Sequence, residues 1–185
     1  MRWPSLVLVV FLAGSGHAEP KKPGKGFWKV LVQKGSKWVL HETVGEKATL
    51  TIETYDVRKV GKADVARLRW TVDKHEFEPS APLTQIAVTD AGAYLLWAAQ
   101  DDAKVAEALK KPPSRSDPPK EYAGTKLNEG RYLKIRDGLV CMGQGPEPDA
   151  GECPDTCDGW VCISPTDGIV EVAGNWSPGV SFFKR

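Results

Sequence analysis

The chain has 185 residues, of which 41% are apolar and 26% are charged, and its formal net charge is +1. This composition is typical of a globular protein and excludes a wholly disordered chain, a collagen-like repeat and a polytopic membrane protein. We expect no nucleic acid among its partners, because proteins that bind nucleic acids carry an excess of lysine and arginine.

The first 18 residues have the pattern of a secretory signal peptide. A short start that carries Arg2 precedes an apolar run over residues 6–14, and residues 16–18 (GHA) place small side chains where a signal peptidase reads. The run is shorter than the roughly 20 residues of a membrane-spanning helix, so we expect cleavage after Ala18 and no membrane span afterwards. The mature protein is therefore predicted to be secreted or periplasmic.

After the signal peptide, the chain divides into a tail and a body. Residues 19–26 (EPKKPGKG) are rich in proline, glycine and lysine, which predicts a flexible basic tail. Residues 27–185 are predicted to form a single β-rich domain, since this length is enough to bury one hydrophobic core.

The first half of the body alternates between apolar and polar residues, which is typical of strands that are buried on one face. The predicted strands cover residues 27–33, 37–41, 48–57 and 65–73. The apolar phase slips near residues 53–54, and this slip predicts a bulge or bend there.

Turn signals between apolar runs predict three hairpins in the remainder of the body. These signals are residues 90–92 (DAG), 137–138 (DG) and 165–168 (PTDG). A last strand over residues 180–183 would complete the sheet.

One segment, around residues 101–111, has the pattern of a short α-helix. Asp101 or Asp102 can cap its N-terminus, and Pro112-Pro113 ends it. About ten strands and one short helix predict an all-β fold, a mainly antiparallel sandwich or barrel with a disulfide-stapled C-terminal region.

Four cysteines lie close together, at Cys141, Cys153, Cys157 and Cys162. An even number of cysteines in an exported chain indicates disulfides, and four cysteines allow three pairings. The segments around Cys141 and Cys162 resemble neighbouring strands, which favours a Cys141–Cys162 bond with a Cys153–Cys157 bond nested inside it. The paired C-x2-C spacing of zinc sites and redox-active thiols is absent, so we predict no cofactor.

Acidic residues of the same segment are weak candidates for a calcium site, because calcium prefers carboxylate and carbonyl oxygens. The candidates are Asp149, Glu152, Asp155 and Asp158. Their spacing does not follow the D-x-D-x-D-G pattern of calcium loops. A solvated acidic loop is therefore the favoured interpretation, and no metal is predicted.

A hydrolase-like enzyme would need a histidine, and the mature chain has only His41 and His75. No G-x-S-x-G nucleophile motif accompanies them. In an extended strand His75 would face away from Glu76 and Glu78, which argues against a shared metal site. We predict no catalytic residues and expect a protein that is not an enzyme, with a hydrolase that uses His41 or His75 as the alternative.

Two of the tryptophans, Trp28 and Trp176, are candidates for exposed rings that bind a partner. The residues Gly26-Phe27-Trp28 resemble the G-x-W motif of lipocalins, a family of barrels that carry small ligands. The resemblance covers these three residues, and no site is carried over from that family.

The function that the sequence favours is a non-enzymatic binding or scaffolding module of the cell envelope or the extracellular space. Its partner would be a protein or a glycan of that compartment. The alternatives are the hydrolase and a β-barrel that carries a small apolar ligand. A filled interior would favour the module, and an open apolar cavity would favour the barrel.

Overall fold

The structure is a computed structural model that describes residues 26–43, 47–73, 83–96, 99–118, 125–127, 131–144, 159–176 and 179–185. Within these ranges the fold is mainly antiparallel β-sheet with few helices, which confirms the predicted all-β class. The predicted signal peptide and residues 19–25 of the tail lie outside the described residues. No helix in the described ranges combines the length and the apolar character that crossing a bilayer requires.

Twelve strands and two helices are present in the part of the chain that the structure describes. The strands are β1 (Lys37–Glu42), β2 (Thr49–Val60), β3 (Ala63–Val72), β4 (Gln85–Thr89), β5 (Gly92–Leu96), β6 (Arg115–Ser116), β7 (Thr125–Leu127), β8 (Arg131–Arg136), β9 (Leu139–Gln144), β10 (Trp160–Ser164), β11 (Gly168–Trp176) and β12 (Gly179–Lys184). A 3-10 helix (Phe27–Val32) precedes β1, and the α-helix α1 (Asp102–Ala108) lies between β5 and β6.

All strands belong to one sheet, in the order β6-β5-β4-β3-β2-β1-β12-β11-β10-β9-β8-β7. β6 and β7 follow each other in the chain but lie at opposite edges. The nine residue steps from Ser116 to Thr125 reach at most about 30 Å. Twelve strands at about 4.8 Å spacing would make a flat sheet more than about 50 Å wide. The sheet is therefore strongly curved, and its longer strands form a half-barrel.

The concave face of the sheet carries the main hydrophobic core. Its buried strand residues include Trp38, Leu40, Leu50, Ile52, Leu68, Trp70, Ile86, Val140, Met142, Val161, Ile163, Val172 and Phe183. The 3-10 helix packs into this face and adds Phe27, Trp28 and Leu31, of which Trp28 and Leu31 are fully buried. In the part of the chain that the structure describes, the 3-10 helix and these strand residues thus pack together in one core.

The predicted strand over residues 27–33 is wrong, because this segment is the 3-10 helix. The cause lies far away in the sequence: the carboxylate of Asp117 accepts hydrogen bonds from the backbone N–H groups of Gly26 (2.8 Å) and Phe27 (3.1 Å). Gly26 also has a positive φ of 84°, which turns the chain into the helix. Because Trp28 and Leu31 are three residues apart, both reach the core from one face of the helix.

The convex face of β2–β5 carries a second apolar cluster, which α1 covers. The cluster consists of Val60, Ala63, Val65, Ala87, Tyr94 and Val105. The helix begins as predicted, with the Asp101 side chain accepting from the backbone N–H of Lys104. It ends at Ala108, before the predicted residue 111, because the next residues close tighter turns: Lys111 donates to the carbonyl of Ala108.

The local sequence signals for bulges and hairpins are confirmed. The register between β2 and β3 shifts between Thr54 and Asp56, next to the predicted slip. Asp137 and Gly138 both have positive φ (50° and 79°), as the mirror-image turn of a two-residue hairpin requires. The short edge strands β6 and β7 were not predicted, because two or three residues carry too little periodicity.

The predicted bond between Cys141 and Cys162 is present, with an S–S distance of 2.08 Å. The two cysteines are direct register partners of β9 and β10. Their neighbours Val140 and Val161 belong to the concave core, so the alternation of a strand places the disulfide on the convex face. The predicted Cys153–Cys157 bond lies outside the described residues.

Candidate binding groove

An open groove lies where two hairpin turns meet α1. The turns join β2 to β3 and β4 to β5, and the groove has a volume of about 570 Å3. It is lined by Gly61, Lys62, Ala63, Thr89, Asp90, Ala91, Ala106, Leu109 and Lys110. Its volume falls within the range of roughly 300–1,000 Å3 that is usual for small-molecule sites.

The β4–β5 turn forms one wall and is held by its own threonine. The hydroxyl of Thr89 accepts from the backbone N–H of Ala91 (3.2 Å) and donates to the carbonyl of Gly92 (3.3 Å). Gly92 has a φ of 145°, and a Cβ there would lie 1.9 Å from the carbonyl oxygen of Arg115. Glycine is therefore needed at this position, because β6 passes directly against it.

The α1 wall is attached to the sheet at both ends. Near its N-terminus, Asp102 accepts a hydrogen bond of 2.6 Å from the guanidinium of Arg58, and this bond raises the pKa of Arg58 above its usual value. Beyond its C-terminus, the hydroxyl of Tyr94 donates to the carbonyl of Lys111 at 2.7 Å. Val105, which is 1% exposed, anchors the middle. A wall fixed in this way gives a groove that needs little ordering when a ligand binds.

The groove combines an apolar floor with a charged rim. Ala106 and Leu109 supply apolar surface next to the fully buried Ala63, and the rim carries Lys62 and Lys110 beside Asp90. The three charged rim residues differ in whether they form an ion pair with a neighbouring residue.

Two of the three charged groups have partners. Asp90 is 3.2 Å from the ammonium of Lys29, and Lys110 is 2.5 Å from the carboxylate of Glu107. Lys62 makes no ion pair with any residue that the structure describes. The lining therefore carries one positive charge that is not compensated within the described chain.

No binding site was predicted from the sequence at this groove. The turn over residues 90–92 and the helix were predicted separately, whereas the Gly61-Lys62 turn was not predicted. The approach of these elements depends on the curvature of the sheet and on the contacts of Arg58 and Tyr94. The one local signal is Lys62 in a turn between two strands, and exposed turn lysines are too common to indicate a site.

Trp28, a candidate for an exposed ring that binds a partner, is a buried core residue. It is 0% exposed, and its indole N–H donates to the backbone carbonyl of Ser116 at 2.9 Å. An indole that is enclosed in this way offers no surface to a partner. Trp176 lies in β11 opposite Gly179, and its side chain is outside the described part of the structure.

His41, a candidate of the hydrolase alternative, is exposed on β1. Its register partners are Thr49 of β2 and Lys184 of β12. Among the described residues it makes no hydrogen bond or ion pair, so no nucleophile or carboxylate is oriented towards it. His75 lies outside the described residues.

The metal-binding candidates fall on a segment that the structure does not describe. They are Asp149, Glu152, Asp155 and Asp158. Within the ranges it does describe, no three histidine, cysteine, aspartate or glutamate side chains group as metal ligands would. The calcium site therefore stays a hypothesis from the sequence.

Comparisons with known proteins assign no family to the chain. No family model, no curated protein and no solved structure matches it. The likeness to the lipocalin motif stays confined to Gly26-Phe27-Trp28, which here begin the 3-10 helix. The ground for a functional proposal is thus the fold and the groove themselves.

Proposed function

We propose that the protein is an exported, non-enzymatic binding module of the cell envelope or the extracellular space, and that the groove beside α1 is its binding surface. The signal-peptide pattern of residues 1–18 supports export. The Cys141–Cys162 bond supports it as well, since disulfides persist in oxidising compartments and are rare in the cytosol.

The observation that carries the proposal is the packing of the 3-10 helix against the concave face of the half-barrel. Trp28 and Leu31 are fully buried there, so they occupy space that a ligand inside the half-barrel would need. This favours a surface-binding module over a barrel that carries a small ligand inside. The groove supplies a preformed concave surface of suitable size for such binding.

The chemistry of the groove suits holding a ligand rather than converting one. The hydroxyl of Thr89 is engaged with the backbone of its own turn, and the carboxylate of Asp90 is paired with Lys29. The lining residues that the structure describes include no histidine, cysteine or serine that could complete a nucleophile–base pair with them.

Site-specific photo-crosslinking in the source cells tests this proposal. The full chain would carry a benzophenone amino acid in place of Ala91, an exposed residue of the groove, or of Val39, which is 39% exposed on β1. After irradiation, gels would detect adducts with proteins, and intact-mass measurement would detect adducts with small molecules.

We expect an adduct of defined mass at position 91 that is absent, or much weaker, at the control position 39. Equal labelling at both positions, or no adduct at position 91, would contradict the groove as the binding surface.

A further inference from the structure

We infer that the groove binds a small molecule with an apolar body and a single negative charge. This inference rests on the proposed function and adds the chemical class of the ligand. It is argued from the charge balance of the rim, from the apolar floor and from the rigidity of the walls.

The charge balance indicates one anionic group. Lys62 stands in the two-residue turn between Val60 and Ala63, which are register partners of β2 and β3. Its turn neighbours do not compensate it, since Lys59 and Asp64 pair with each other at 2.6 Å. Asp90 and Lys110 are likewise paired with Lys29 and Glu107. One unpaired ammonium group at the rim can neutralise one carboxylate. A ligand with two negative charges would keep one of them without a partner.

The floor indicates that the rest of the ligand is apolar. Ala63 is fully buried, and apolar surface is presented by the exposed Ala106 and by the half-buried Leu109, which packs against the convex cluster. Burying an apolar ligand against these side chains is favourable in proportion to the area removed from water.

The groove is open rather than enclosed, so the charged group can stay at the rim while the apolar body lies on the floor. The β4–β5 turn is held by Thr89, and α1 is held by Arg58 and Tyr94. Binding therefore costs little ordering of the protein, and a small amphiphile can bind without a conformational change.

The test is a titration of the oxidised, 15N-labelled exported chain, followed by amide chemical shifts. The probes are octanoate, octanol and octylamine, which share the apolar body and differ in charge. We expect octanoate to shift the amides of Ala91, Ala106 and Leu109 in a saturable manner. Its affinity should exceed that of octanol by about threefold, the effect expected for one exposed ion pair. Octylamine should bind more weakly than octanol.

Variants separate the role of Lys62 from general surface charge. Lys62→Ala should abolish the preference of octanoate over octanol, and Lys62→Glu should reverse it in favour of octylamine. Lys37→Ala, which removes an exposed lysine of β1, is the matched control and should leave the preference unchanged. Added salt should weaken octanoate binding to the unsubstituted chain more than octanol binding.

The inference is overturned if octanoate binds no better than octanol, or if Lys62→Ala leaves the preference intact. It is also overturned if Lys37→Ala removes the preference equally, or if the shifts lie away from the groove. Adducts at position 91 together with no preference for octanoate would refute the ligand class alone. Preferential octanoate binding without any adduct in cells would refute the proposed function alone.

Discussion

The two wings of the sheet are stabilised by different means. In the first wing, β2–β5, apolar residues are buried on both faces: the 3-10 helix fills the concave side and α1 covers the convex side. In the second wing, β9–β12, the convex face instead carries the Cys141–Cys162 disulfide. One wing depends on a helix that covers its outer face, and the other on a covalent bond between neighbouring strands.

This difference shows how the sheet can bend without a second sheet. The 3-10 helix contacts β2, β3 and β4 of the first wing and β11 of the second, so it connects the two wings across the concave face. Among the described elements, none connects the convex faces of the two wings. The helix α1 covers the convex face of the first wing, and the disulfide joins two strands on the convex face of the second. The groove lies in the first wing because only α1, among the described elements, stands on a convex face.

The largest expected effect comes from the element that both wings share. Trp28→Ala removes a fully buried indole and leaves a cavity, so we expect the free energy of unfolding to fall by about 3–5 kcal/mol. Denaturant unfolding of the oxidised protein measures this. Val39→Ala, at an exposed position, should change stability by less than about 0.5 kcal/mol. Similar costs for the two variants would show that the interior is not packed as described.

The next effect separates the wings. Replacing both Cys141 and Cys162 by alanine removes a bond between residues 21 apart, which should cost about 3 kcal/mol by the chain-entropy estimate. Amide hydrogen exchange should accelerate most in β9 and β10 and least in α1. Unchanged stability, or equal acceleration in both wings, would contradict a separate role for the disulfide.

A smaller effect is expected on the convex face of the first wing. Val105→Ala removes two buried methyl groups beneath α1 and should cost about 1–2 kcal/mol. Lys104→Ala, at the exposed neighbouring position, is the control and should be nearly neutral. If the two variants behave alike in thermal unfolding, α1 does not pack on the sheet as the structure has it.

The smallest effect is on the pH dependence of stability, through the β10–β11 turn. Hydrogen bonds from Thr166 and then from Ser164 lower the pKa of the Asp167 carboxyl below its usual value. A group whose pKa falls on folding stabilises the folded state above its unfolded pKa of about 3.9, and this contribution is lost as the pH falls through the lower folded value. The stability difference between the unsubstituted chain and Asp167→Asn should therefore shrink below about pH 4. A stability difference that does not vary with pH would contradict the stabilising role of the Asp167 carboxylate.

Much of the fold can be predicted from local sequence patterns. The bulge after Thr54, the Asp137-Gly138 turn and the cap at Asp101 are predictable because neighbouring residues determine them. The pairing of Cys141 with Cys162 is predictable because each occupies the same position in adjacent strands, so a register that buries the flanking apolar residues also aligns the cysteines.

The 3-10 helix and the groove were not predictable in this way. The segment from Phe27 to Val32 is rich in residues that favour strands, and its helical form depends on Asp117, 90 residues further along the chain. The groove requires two hairpins and a helix to meet, and their approach depends on the curvature of the whole sheet. A single sequence contains no local signal for either arrangement.

The most direct test of the account is the state of the cysteines in native protein, taken from the source without reductant. Free thiols are alkylated, the protein is digested, and peptides are assigned by mass spectrometry. The account predicts a mature N-terminus at Glu19 and a peptide pair linked through Cys141 and Cys162. Recovery of both cysteines in alkylated form, on a chain that retains residues 1–18, would contradict export into an oxidising compartment and remove the support for a stapled binding module.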